Sequence, residues 1–141
     1  MTVGPLLAGN AAPFAEPPGV TVSVTVVGLR SEKGQLLACL TAMPRAFPDC
    51  SKDPHAQHLT VPAAGKVELK FQMVASGRYA ISLLHDENGN GYADMVLMVP
   101  REGFGFSRDA AVHFGPPRFA AAAFTVAGVA ENQTIRMRYM F

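Results

Sequence analysis

The chain has 141 residues, 49% of them hydrophobic, which is long enough and apolar enough to bury the core of one domain. It has 12 Lys and Arg residues and 11 Asp and Glu residues, a balance that offers no positive surface for nucleic acid or anionic lipid. Its apolar stretches fall short of the roughly 20 residues that a membrane-spanning helix needs. We therefore expect a folded domain with no nucleic-acid partner and no membrane span.

The first 19 residues differ in composition from the rest of the chain. Residues 1–19 are rich in Ala, Pro and Gly and contain no Lys or Arg. We predict a disordered leader, or the remnant of a secretory signal, because small residues at Ala11 and Ala12 resemble a cleavage region. Residues 20–141 are then a single domain, and we expect the protein to be exported.

Alternation of apolar and polar residues predicts strands with one buried face. The clearest pattern is Val20–Val26, and Gln35–Thr41 follows a polar turn and is predicted to pair with it as a hairpin. Further predicted strands are Val67–Met73, Arg78–His85, Met95–Val99, Phe119–Val126 and Thr134–Tyr139. One helical turn at Ala120–Ala123 is an alternative within this set. About seven short strands with frequent turn residues predict an all-β, two-sheet sandwich.

The segment between Ala42 and His58 is rich in proline and predicts a long irregular loop, which needs a clamp. Cys39 lies in the preceding strand and Cys50 lies in the loop. A disulfide between them would tie the loop to the sheet and would fit an oxidising compartment. Free thiols are one alternative. The other is a zinc site made of the two cysteines with His55 and His58, although this spacing matches no usual zinc pattern.

The segment His85–Asp94 reads H-D-E-N-G-N-G-Y-A-D and concentrates oxygen donors around two glycines. Calcium takes six to eight oxygen ligands, and a tight glycine-containing turn can direct alternating side chains towards one ion. The predicted calcium ligands are Asp86, Asn88, Asn90, the backbone carbonyl of Tyr92, and Asp94. Glu87 and Glu102 are candidate further donors. Leu97 stands where an EF-hand has its glutamate, so no EF-hand is implied.

The same letters also fit a plain hairpin turn. Asn-Gly pairs favour the positive φ angles that such turns need, without any metal. A plain turn needs only one Asn-Gly pair, whereas this segment has two, with aspartates in register on either side. Calcium is therefore our prediction for this loop, and a turn without a metal is the alternative.

The segment P-R-E-G-F-G-F-S alternates two phenylalanines with two glycines. The simplest interpretation is that Phe104 and Phe106 close one end of the sandwich, while Gly103 and Gly105 let the backbone bend. The functional interpretation is a ligand-binding edge formed by Phe104, Phe106 and Phe114.

Residues of the types found in a hydrolytic triad occur at His85, Ser107, Asp109 and His113. Ser107 lacks the G-x-S-x-G turn that presents a nucleophilic serine, and no feature of the sequence connects the four residues. The sequence therefore gives little support to a catalytic triad.

Three motifs carry a family resemblance: H-D-E-N-G-N-G, P-R-E-G-F-G-F-S and F-G-P-P-R-F. The strand that contains G-R-Y-A adds to it. Over about residues 20–141 the chain resembles an uncharacterised family of exported bacterial proteins, the domain of unknown function numbered two thousand one hundred and forty-one. The resemblance implies an immunoglobulin-like or prealbumin-like sandwich in the periplasm or outside the cell. It brings no activity. A-D-M-V-L-M-V-P departs from the family pattern, which more often has a Gly before the Pro.

The functional hypothesis from the sequence is a noncatalytic, periplasmic or secreted β-sandwich with a structural calcium loop. We expect it to be an interaction or carbohydrate-binding module whose partner is a protein or glycan of the cell envelope. The alternative is a hydrolase that uses His85 together with Asp86 or Glu102 beside the metal loop.

Overall fold

The computed structural model describes residues 19–89, 95, 96, 99, 100, 102–113 and 115–140. The strands, in chain order, are β1 (Val20–Val27), β2 (Gln35–Thr41), β3 (Gln57–Pro62), β4 (Val67–Val74), β5 (Gly77–Asp86), β6 (Met95–Val96), β7 (Val99–Pro100), β8 (Gly103–Phe106), β9 (Phe124–Val126) and β10 (Glu131–Arg136). The helical segments are short: 3₁₀ turns at Pro44–Ala46 and Ser107–Asp109, and helix α1 at Phe119–Ala122.

Two sheets face each other in the described part of the chain. The first has the order β10-β1-β4, with β1 parallel to β10 and antiparallel to β4. The second has the order β3-β2-β5-β8, and β9 pairs with the start of β5. β6 and β7 pair with each other. The prediction of an all-β, two-sheet sandwich is confirmed, and none of the described helices is long and apolar enough to span a membrane.

The main core lies between the sheets and follows the predicted alternation. It is formed by inward-facing side chains of both sheets, chiefly Val22, Val24, Val26, Leu36, Ala38, Leu40, Leu69, Phe71, Ile81, Leu83 and Ile135. Because successive residues of a strand point to opposite faces, each of these strands contributes every second residue to the core.

The predicted hairpin between the first two strands is wrong. β1 pairs with β4 and β10, whereas β2 pairs with β3 and β5, so the two strands lie in opposite sheets. Residues 28–34 are a longer connection than the two-residue loops that join hairpin strands, and they carry the chain from one sheet to the other. The buried faces of β1 and β2 therefore meet across the core rather than side by side.

Several boundaries also differ from the predictions. Phe119–Val126, predicted as one strand, is helix α1 followed by β9, and Met95–Val99 falls within the β6–β7 pair. The helix forms because Phe119 and Ala122, three residues apart, are both buried in a second apolar cluster outside the main core. β3 and β8 lie in segments that were not predicted as strands.

The glycines of β8 are required by packing. A Cβ atom on Gly105 would lie 2.6 Å from Cγ2 of Ile135, and one on Gly103 would lie 2.4 Å from the ring of Tyr139. Phe104 and Phe106 point to the opposite face, with their rings stacked at a centroid distance of 6.4 Å. The glycines thus let β8 approach the end of β10 and the residues that follow it, which replaces the prediction that they serve to bend the backbone.

Substitution of these glycines tests that packing. Gly105→Ala is expected to lower the free energy of unfolding by about 1–3 kcal/mol, because the new methyl group overlaps the Ile135 side chain. Gly115→Ala is the matched control, since no described residue beyond its chain neighbours has an atom within 4 Å of the added Cβ. Urea denaturation of the two variants gives the comparison. Equal stability of the two variants would contradict the packing role.

Candidate functional site

His85, a candidate catalytic residue, is fully buried and has both ring nitrogens hydrogen-bonded. Its Nε2 lies 2.8 Å from the carbonyl oxygen of Lys33, and its Nδ1 lies 2.8 Å from the hydroxyl of Tyr139. A carbonyl only accepts, so Nε2 carries the hydrogen and Nδ1 accepts from Tyr139. The Tyr139 oxygen in turn accepts the backbone N–H of Arg30 at 3.2 Å. This network uses His85 to join three segments of the fold.

Asp86, the first predicted calcium ligand, is the last residue of β5 and is fully buried. Its carboxylate accepts a hydrogen bond from the side-chain amide of Gln35 at 2.9 Å. Its carbonyl accepts the N–H of Gly89 at 3.2 Å, and Gly89 has φ of +70°, so residues 86–89 form a tight turn with Asn88 exposed. Asp86 is thus anchored in the sheet where the predicted loop begins.

Glu87 forms an ion pair with Arg30 at this end of the sandwich. Its carboxylate accepts from the Arg30 guanidinium at 2.6 Å and from the Ser31 hydroxyl at 2.7 Å. Arg30, with support from Ser31, lowers the pKa of Glu87 to about 2 against the opposing effect of partial burial. The same guanidinium lies 4.4 Å from the centre of the Tyr139 ring, which adds a cation–π contact.

Glu102 brings a second buried carboxylate to the base of the predicted calcium loop. It accepts the backbone N–H of Glu87 at 3.1 Å. Asn90, Tyr92 and Asp94 lie outside the described residues. Within the described ranges, no three His, Cys, Asp or Glu side chains are arranged to hold a metal ion. Calcium binding by the loop stays a prediction.

Ser107, a residue of the hydrolytic-triad type, is buried and forms hydrogen bonds within the fold. Its hydroxyl accepts the N–H of Ile81 at 2.9 Å and donates to the carbonyl of Ala122 at 2.5 Å, which fastens α1 to β5. Asp109 forms an exposed ion pair instead of contacting a histidine. His85 is bonded elsewhere, so the structure does not bring these residue types together as a triad. The hydrolase hypothesis gains no geometric support.

The predicted disulfide is confirmed. Cys39 and Cys50 are bonded, with their Cα atoms 6.4 Å apart, and both side chains are buried. The bond clamps the long loop onto the outer face of the second sheet. The zinc and free-thiol alternatives are therefore wrong, because no free cysteine is present. His55 and His58 are exposed.

An apolar row crosses the outer face of the second sheet. Leu37 of β2 is paired in register with Leu84 of β5, which is paired with Phe104 of β8. All three side chains are half-buried and line a groove of about 480 Å³. Asp49 and His58 lie at its border. The groove therefore exposes apolar side chains from three neighbouring strands.

The predicted aromatic edge is only partly available for binding. Phe104 lines the groove, but Phe106 is 2% exposed and packs edge-to-face against Phe47 at 5.6 Å. Phe106 belongs to the apolar cluster beneath α1 and offers no ligand-binding edge. Phe114 lies outside the described residues.

Sequence reasoning missed Arg30, Tyr139 and Asp53. Arg30 and Tyr139 meet Glu87 and His85 only because the fold brings distant segments together, so no local pattern marks them. Asp53 accepts the N–H of His55 at 2.8 Å, an aspartate turn that its short side chain favours locally. Of these residues, Asp53 alone had a local signal in the sequence, namely the tendency of aspartate to form such turns.

The family follows from a comparison with known proteins. A family model described as "Uncharacterized protein conserved in bacteria (DUF2141)" matches residues 24–135, which is most of the chain. The chain belongs to this family. The match confirms the predicted family and assigns no activity to its members. No curated protein and no solved structure matches the chain significantly.

The Glu87–Arg30 pair of this DUF2141 domain predicts a specific acid sensitivity. The folded-state pKa of Glu87 is about 2, below its ordinary 4.5, so the pair stabilises the fold above pH 4.5, and this contribution is lost as the pH falls towards 2. Since Glu87 and Arg30 are 20% and 37% exposed, solvent screening limits the contribution to about 1–2 kcal/mol.

Glu87→Gln is therefore expected to unfold more easily at pH 7 by about 1–2 kcal/mol and to show a shallower loss of stability between pH 4.5 and 2. Exposed Glu68→Gln is the control. Urea midpoints measured across that pH range give the test. An unchanged acid profile for Glu87→Gln would show that the ion pair does not stabilise the fold.

Proposed function

We propose that this protein is a noncatalytic, exported interaction module whose partner is a protein of the cell envelope. The observation that carries the proposal is the half-exposed apolar row Leu37–Leu84–Phe104 across three strands of one sheet. An accessible row of this kind suits insertion of apolar side chains from a partner. The disulfide supports a location outside the cytosol, where such bonds persist.

The chemistry of the groove favours a protein over a glycan. Sugars are held by many hydrogen bonds as well as by aromatic stacking, whereas the floor of this groove is Leu37, Leu84 and Phe104. The polar side chains that line it, Asp49, His58 and Ser82, are few. His85 and Ser107 are buried side chains of types that act in catalysis, and both form hydrogen bonds within the fold.

Leucine methyl signals in NMR spectra provide the test. We expect a pool of synthetic peptides with apolar anchor residues to shift the Leu37 and Leu84 methyl signals of the whole protein. Leu84→Asp should weaken this binding at least about tenfold, because a buried carboxylate opposes apolar insertion. Val129→Asp is the control, since Val129 is exposed and lies outside the groove. Methyl shifts with an oligosaccharide pool and none with the peptides would indicate a carbohydrate-binding module. The absence of methyl shifts with both pools would contradict a binding groove.

We further propose that the loop from Asp86 to Asp94 binds calcium as a structural ion. Support comes from the run of oxygen donors in the sequence, from the anchoring of Asp86 at the end of β5 and from the tight turn at Gly89. Binding would hold the loop beside the buried pair of carboxylates, Asp86 and Glu102.

Calcium at 1 mM is expected to add about 0.4–1.4 kcal/mol of stability if the dissociation constant is that of an extracellular module, about 0.1–1 mM. Thermal melts with chelator and with calcium measure this increment. Asp86→Asn should abolish the increment, whatever it does to the basal melting temperature, and Asp109→Asn should retain it. Identical melts with and without calcium would reduce the loop to a metal-free turn.

A further inference from the structure

A second concave surface lies where the end of β4 approaches the loop that follows β2. Its volume is about 580 Å³, and it shares no lining residue with the groove on the second sheet. Three of its lining residues carry atoms that bind metals: the thioethers of Met43 and Met73 and the imidazole of His55. Neither cysteine of the disulfide and no residue of the Leu37–Leu84–Phe104 row lines it.

Met73 has an unusual conformation for a strand residue. It has φ of +56°, in the left-handed region that residues with a Cβ avoid, and its side chain is 66% exposed. The pairing of β1 with β4 shifts register at this position, so Met73 lies in a bulge between buried Phe71 and buried Val74. Bulges of this kind redirect a side chain, and a strained residue at a concave surface points to a function.

Hydrogen bonds connect the segments that carry the three ligands. The Gln57 side-chain amide donates to the carbonyl of Gln72 at 2.9 Å, which ties the chain just after His55 to the residue before Met73. A second connection runs through Asp53. Its carboxylate accepts from the His55 N–H at 2.8 Å and from the Thr41 hydroxyl, whose oxygen accepts the Met43 N–H at 3.0 Å.

The charge at this surface suits a cation. Asp53 is nearly buried and lines the same concave surface. Its carboxylate accepts hydrogen bonds from the Thr41 hydroxyl and the His55 N–H, which hold it in place at this surface. An acidic side chain beside thioether and imidazole groups favours a bound positive ion.

We propose that Met43, His55 and Met73 form a binding site for a soft monovalent metal ion of the Cu(I) class. Thioethers are soft ligands that select Cu(I) over hard ions such as calcium and magnesium, and imidazole also binds copper. Both cysteines are consumed by the disulfide, so methionine supplies the soft sulfur ligands that remain in this chain. The site involves no change of oxidation state, since the ion binds and leaves as a monovalent cation.

Titration with Ag(I), a redox-stable ion of the same class, tests the site in the whole protein. The ε-methyl signals of Met43 and Met73 and the ring signals of His55 should shift together and saturate at one equivalent. Met43→Leu, Met73→Leu and His55→Ala should each weaken binding at least tenfold. The matched controls are Met140→Leu, an exposed methionine outside this surface, and His113→Ala, an exposed histidine outside it; both should bind as the parent does.

Met73→Asn separates binding from folding. Asparagine tolerates a left-handed backbone better than methionine, so the urea midpoint should not fall, while Ag(I) binding should be lost. Equal weakening by Met73→Leu and Met140→Leu would show adventitious thioether binding and overturn the proposal. Shifts at His55 without shifts at either methionine would overturn it as well. Neither outcome depends on whether the groove binds a peptide.

Discussion

The hydroxyl group of Tyr139 is the contact on which this end of the sandwich depends. It accepts a backbone N–H from Arg30 in the connection between the two sheets and donates to His85 in β5, while its ring lies beneath the Arg30 guanidinium. Gly103 leaves room for that ring. Three segments far apart in the sequence therefore meet at one side chain, and Glu87 completes the arrangement by pairing with Arg30.

The same kind of bonding gives structural roles to several residue types that are associated with catalysis. His85 and Ser107 bond backbone carbonyls, while the buried carboxylates of Asp86 and Glu102 accept from a side-chain amide and a backbone N–H. Such bonds satisfy groups that would be costly to bury alone. Two accessible surfaces of the described residues carry the proposed binding chemistry: an apolar groove on the second sheet, and a sulfur- and nitrogen-bearing concave surface where the end of β4 approaches the loop after β2.

The sequence predicted the features that depend on local pattern. Alternation fixed the buried faces of β1, β4 and β5, and the spacing of Cys39 and Cys50 suggested the disulfide. Strand pairing was not predictable in the same way, because residues 28–34 are compatible with either a hairpin or a crossing between sheets. The need for glycine in β8 and the bulge at Met73 were also not predictable, because both depend on contacts with other parts of the chain.

The same distinction, between features set by local pattern and features set by tertiary contacts, applies to the candidate site. The oxygen donors of the predicted calcium loop and the aromatic residues of β8 were visible as motifs, whereas the Leu37–Leu84–Phe104 row exists only once three strands are aligned. The structural roles of His85 and Ser107 likewise depend on partners more than 50 and about 15 to 26 residues away. A motif identifies a residue type, and only the packing decides whether that residue is accessible.

The central claim, that His85 joins segments of the fold rather than performing chemistry, is tested most directly by the nitrogen chemical shifts of its ring. The account predicts an Nε2–H tautomer at neutral pH, with an Nδ1 resonance that changes in Tyr139→Phe because the donated hydrogen bond is lost. An Nδ1–H tautomer, or a ring indifferent to Tyr139→Phe, would contradict the account and restore His85 as a candidate for catalysis.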